Sequence, residues 1–142
     1  MSEHVPISKQ LLIDALNALE WKFVLDDDDG LAVRFEAKDK PTIHVNLKVA
    51  GPRVLATSAI ASPVNREHWA EVLVDINQYN ATHFRPKMYL NIVEETGKAL
   101  LIGEEVYDAA GGSTTEWLGA WIGGHANAFA TGAGSILGID LS

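Results

Sequence analysis

The sequence predicts an α+β domain, an antiparallel β-sheet with helices packed on it, in the order α-β-β-β-β-α-β-β-α. Two patterns carry that reading. Apolar residues recur at helical spacing near the start, past the middle and at the end of the chain. Between those stretches lie short runs rich in Val, Ile and Phe, separated by turn-forming residues.

Ser8 is placed to cap the first helix, because its hydroxyl can accept from the free amides of the first turn. Leu11, Leu12, Ala15, Leu16 and Leu19 then repeat on one side, and the helix is expected to reach about Glu20. Four strands follow, from Lys22 to Leu25, Leu31 to Ala37, Thr42 to Val49 and Val54 to Ile60. The breaks "DDDDG", "KDKP" and "AGPR" are turn chemistry, with Gly30 and Gly51 free to take positive φ and Pro41 and Pro52 fixing theirs. Such short breaks make hairpins, hence antiparallel neighbours. Ser62 as cap and Pro63 at the first helical position announce a second helix, with Val64, Trp69, Val72, Leu73 and Ile76 on its apolar side. Strands from Lys87 to Val93 and from Ala99 to Tyr107 flank "EETGK", a hairpin loop containing Gly97. The capping box "STTE", Ser113 to Glu116, opens the third helix, where Leu118, Ile122, His125 and Phe129 share a face.

A chain of 142 residues, 47% hydrophobic and 21% charged, fits one globular domain spanning 1–142. It has no Cys, which excludes disulfides, thiolate nucleophiles and Cys-based zinc sites. The start "MSEHVPISKQ" has no basic stretch followed by an apolar one, so a cytoplasmic location is expected. The net charge is -8, with seven acids against one base in residues 91–142. Bases are scattered singly in the middle of the chain, so nucleic acid is not an expected partner. Residues 117–139 carry no charge and are long enough to span a bilayer. Six of them are Gly and five Ala, however, and a helix packed on a soluble core through small residues is expected instead of a membrane span.

The element order, the "INQYN" near the end of the second helix, the "RPKMYL" strand, the "ETGK" hairpin and "GGSTTEWL" before the last helix together resemble the YbjN family. Its members are often labelled bacterial sensory transduction regulators, and their fold is similar to that of type III secretion chaperones. The resemblance covers nearly the whole chain, most clearly Ser62 to Phe129. It implies a cytoplasmic bacterial domain that works by contacting proteins, with no known reaction attached.

The individual motifs point the same way. Asn77, Gln78 and Asn80 lie near the carboxyl end of the second helix, where free carbonyls need donors, and His83 and Arg85 add donors there. "LDDDDG" fails as a calcium loop, since Leu25 occupies the first ligand position and the flanks read as strands; a solvated acidic hairpin is expected. His4, His44, His68, His83 and His125 include no i, i+4 pair and no HExxH, so no metal is expected. Ser58, Ser62 and Ser113 sit in no GxSxG elbow, and no Gly-rich phosphate loop follows a strand. Neither catalytic residues nor a cofactor are therefore expected, with a small-ligand or catalytic pocket between sheet and helices as the competing reading. Surface shape is what remains. On the third helix Trp121 lies about 60° and Trp117 about 100° from the centre of the core face, at 100° per residue. Trp121 is expected to widen the buried face and Trp117 to be an exposed anchor. Gly119 and Gly123, with Ala126, form a small-residue strip that another backbone could approach. A protein partner and a homodimer through this helix are the resulting expectations.

Overall fold

A computed structural model describes residues 3–26 and 30–141. Ser8 Oγ accepts from the Leu11 amide at 3.1 Å and opens α1, Lys9–Ala18, which buries Leu11, Leu12, Ala15 and Leu16. The sheet is built from β1 Val24–Leu25, β2 Leu31–Phe35, β3 Ile43–Ala50, β4 Arg53–Ile60, β5 Val64–Asn65, β6 Lys87–Val93 and β7 Lys98–Asp108. Two helices complete the chain, α2 Trp69–Thr82 and α3 Thr115–Leu137.

Every strand pair is antiparallel, in the spatial order β1-β2-β3-β4-β7-β6, with β5 pairing β7 beyond the end of β4. Alternation sets the two faces. On β3, Ile43, Val45 and Leu47 are buried while His44, Asn46 and Lys48 are exposed. The buried side meets the helices. α3 lies over β4 and β7, α1 packs on α3 and β3, and α2 packs on α3 and β6. Each fully buried Leu, Ile or Phe in this layer contributes about 1.5–3 kcal/mol relative to exposure. The principal elements follow the order predicted from the sequence.

Three details differ. The first strand is confined to Val24–Leu25. The second helix starts at Trp69, because Val64 is buried in an extended pairing with Ala99 and a 3₁₀ turn, Arg66–His68, intervenes. Ser62 and Pro63 are a helix-start signal only locally, and pairing with β7 overrides it. The cap of α3 is Thr114, whose hydroxyl accepts from the Trp117 amide at 3.0 Å. Ser113 is occupied elsewhere: its amide and carbonyl both bond Val5 at 2.8 Å, and its hydroxyl lies 2.8 Å from the Tyr107 hydroxyl. Asp27, Asp28 and Asp29, on which the acidic-loop reading rests, lie outside the described residues. Beside them, Gly30 donates to Asp26 Oδ1 at 2.8 Å.

Candidate functional site

His125 stands at the centre of the core face of α3 and is fully buried. An imidazole there needs partners on both nitrogens. β4 and β7 provide them. Ser58 pairs with Gly103 and Ala56 with Glu105, so Ser58 and Glu105 point to the helix side of neighbouring strands, one step apart. Ser58 Oγ lies 2.7 Å from His125 Nε2, and Glu105 Oε1 lies 2.7 Å from His125 Nδ1. The carboxylate can only accept, so Nδ1 donates to Glu105, and Nε2 pairs with the Ser58 hydroxyl. Gly103 makes the close approach feasible: a Cβ there would lie 2.3 Å from Phe129 Cδ1.

The carboxylate also faces Arg85, whose Nε lies 2.9 Å from Glu105 Oε2. The Nε–H does not point along that line and has no hydrogen-bond acceptor, so this contact is an ion pair by distance only. Arg85 Nη2 donates to the Trp121 carbonyl at 3.0 Å, joining the end of the α2–β6 connection to α3. Tyr79 donates to the Arg85 carbonyl at 2.7 Å. Burial pushes the Tyr79 phenol up, Glu105 adds to the rise, and Arg85 opposes it. Arg85 and Glu105 bring opposite charges to the cluster, so neither faces the core without a counter-charge.

Ser58, His125 and Glu105 follow the hydroxyl–imidazole–carboxylate order of a nucleophilic triad. Ser58 and His125 are both 0% exposed, so a substrate cannot reach the Ser58 oxygen while α3 is seated on the sheet. What the arrangement does in this state is fasten α3 to β4 and β7. No local motif spells it, because Ser58, Glu105 and His125 are far apart in the chain. Parity held a clue: in "LLIGEEVY" Glu105 alternates with Leu101 and Gly103 on the inward side.

The end of α2 is only partly as expected. His83 does close it, its amide donating to the Tyr79 carbonyl at 2.9 Å, and Thr82 Oγ1 donates to the Gln78 carbonyl at 3.0 Å. Asn80 does not cap the helix. Its Nδ2 donates to the Met88 carbonyl at 2.9 Å and its Oδ1 accepts from the Met88 amide at 3.0 Å, so one amide side chain grips β6 as a neighbouring strand would. Arg85 likewise turns away from the α2 carbonyls toward Glu105.

The surface residues singled out on α3 separate into different environments. Trp117 is 60% exposed, its ring meeting His4 edge-on at 4.7 Å. Trp121 is half-buried, stacked between Tyr107 at 5.3 Å and His125 at 6.1 Å. Gly119 is buried by this chain's own α1, against the Ala15 carbonyl and Leu19. Gly123 is half-buried, with open space where a Cβ would stand. The small-residue strip therefore accommodates α1 at one end and is free at the other.

A cleft of about 310 Å³ runs along the seam of α2 and α3, lined by Tyr79, His83, Arg85, Asn127, Thr131 and Ser135 among others. It opens between two helices, whereas another of about 300 Å³ lies between sheet and helices, lined by Val64 and Asn65 of β5, Val72 and Asp75 of α2 and Ile136 and Leu137 of α3. Among the described residues no three His, Asp or Glu side chains gather as a metal site, and no helix is long and apolar enough to cross a membrane.

These features, an antiparallel sheet covered on one face by three helices, define a fold shared with a solved structure. The chain is similar to the crystal structure of YbjN from E. coli, described as a proposed transcription regulator, with a TM-score of 0.70 and 14% sequence identity over 88% of this chain and 87% of that one. The fold is YbjN-like. No family model matches the sequence, and no curated protein matches it.

Proposed function

We propose that this protein is a non-enzymatic protein-interaction module of chaperone, adaptor or regulatory character, working as a homodimer. The homodimer rests on analogy of fold, and the observation that carries the interaction reading is Trp117: the first turn of a long, well-packed helix holds a large aromatic side chain 60% in solvent. Tryptophan is enriched at the energetic centres of protein interfaces, and a rigid helix holds it ready at little entropic cost. The half-buried Trp121 and the open side of Gly123 lie on the same helix and extend the candidate surface. The YbjN-like fold supports a regulatory role by analogy, since the similar structure is described as a proposed transcription regulator. The buried state of Ser58 and His125 supports a structural, not catalytic, part for that cluster.

Affinity capture from the native cell with wild-type bait and with Trp117→Ala bait tests the reading. A defined protein retained by the wild type and lost with the variant is the expected result. Capture that is identical with both baits, or a substrate turned over by the purified protein and abolished in Ser58→Ala, would overturn it.

A further inference from the structure

Among the described residues β6 pairs only with β7, so its other side is a free sheet edge. The direction of that edge is visible at Met88, whose amide and carbonyl turn away from β7 to bond Asn80. Main-chain groups two residues apart on an antiparallel strand point the same way. Leu90 and Ile92 therefore present their N–H and C=O groups along the same edge, and among the described residues none of these forms a hydrogen bond outside the sheet ladder. Sheet edges are ordinarily guarded by proline, a bulge or a charge. Pro86, Lys87 and the Asn80 side chain over Met88 guard the start of this edge, whereas Leu90 and Ile92 carry no such guard.

We propose that this edge pairs with β6 of a second copy of the chain, antiparallel about a two-fold axis passing beside Asn91; the inference rests on the homodimer reading above and names its contact. In that register Leu90 of each copy exchanges both main-chain hydrogen bonds with the partner's Ile92, four bonds in all by the antiparallel pattern, while Met88 stays with Asn80. Asn91 faces its own symmetry mate as a close, non-hydrogen-bonded pair. Charge selects a second copy over an unrelated strand. Lys87 begins the strand, and Glu94 and Glu95 follow its end in the exposed turn to β7, so antiparallel pairing about Asn91 brings Lys87 of one copy toward the partner's acidic turn, twice. A strand with a base at its start and acids just past its end is self-complementary in the way a two-fold contact requires. Exposed Leu73 and Val74, on the outward side of the helix that packs against β6, add apolar area nearby. Trp117 is left free for a different protein.

The test is sedimentation of the full chain together with hydrogen exchange. Wild type is expected to be dimeric, with the Leu90 and Ile92 amides exchanging more slowly as concentration is raised through the dissociation constant. Asn91→Lys places two like charges across the axis without touching the core and should weaken the dimer roughly tenfold or more. Lys87→Glu should weaken it, and adding Glu95→Lys in the same chain should restore it. Trp117→Ala should leave it unchanged. A wild type that stays monomeric at about 100 µM, far above micromolar dissociation constants, overturns both this contact and the homodimer reading. A dimer that survives Asn91→Lys, with Leu90 and Ile92 exchanging at the monomer rate, overturns the β6 contact alone.

Discussion

His125 and Trp117 stand about two turns apart on the same helix, and each occupies the environment expected of the other. The titratable side chain is completely buried and the large apolar one is mostly in water. A buried polar group is tolerated when every atom finds a partner, and Ser58 and Glu105 meet both nitrogens of His125 at 2.7 Å. Among the described residues Trp117 has no comparable stabilising contact beyond the edge of His4. The inner side of α3 is thus committed to holding the fold together, and its outer first turn is available for contact with something else.

Substitutions along the inner side should produce the largest losses. Phe129→Ala removes a fully buried ring packed over Gly103 and should cost about 3–5 kcal/mol in denaturant unfolding, with partner contact through Trp117 unaltered per folded molecule. Glu105→Ala leaves the buried Nδ1–H of His125 without its acceptor, while Arg85, 40% exposed and still bonded to the Trp121 carbonyl, regains water. A loss of about 1–3 kcal/mol is expected. An unfolding midpoint indistinguishable from wild type for Glu105→Ala would remove the structural role assigned to the cluster. Asn80→Ala comes next. It deletes two hydrogen bonds to Met88 that sit at a sheet edge accessible to water, so a loss of about 1–2 kcal/mol is expected, with faster amide exchange at Met88 as the local signature.

The same comparison shows what the sequence makes legible. Ser8 and the Leu11, Leu12, Ala15 and Leu16 repeat are local signals and define α1, and the core face of α3 follows from periodicity alone. The burial of His125 is read from that face, but the reason it can be buried is not, since Ser58 and Glu105 are brought to it only by the register of β4 against β7. Local signals also mislead where a distant strand competes. Ser62 and Pro63 spell a helix start, yet Val64 pairs with Ala99 and the helix begins only at Trp69. Asn80 reads as a helix terminator and is instead spent on the main chain of β6. The exposure of Trp117 relative to Trp121 is anticipated by its angle on the helix, whereas the burial of Gly119 depends on where α1 lies.

The smallest effect on the fold belongs to Trp117, and it tests the account most directly. Trp117→Ala is expected to cost less than about 1 kcal/mol in stability, since it gives up little more than the His4 contact. The decisive measurement is the affinity of the captured partner for this variant and for wild type, at matched folded concentration. The account predicts a loss of roughly tenfold or more in affinity with the melting temperature nearly unchanged. A variant that melts several degrees lower yet binds the partner as tightly as wild type would place Trp117 with the fold, and contradict the division of α3 into a structural side and a recognition side.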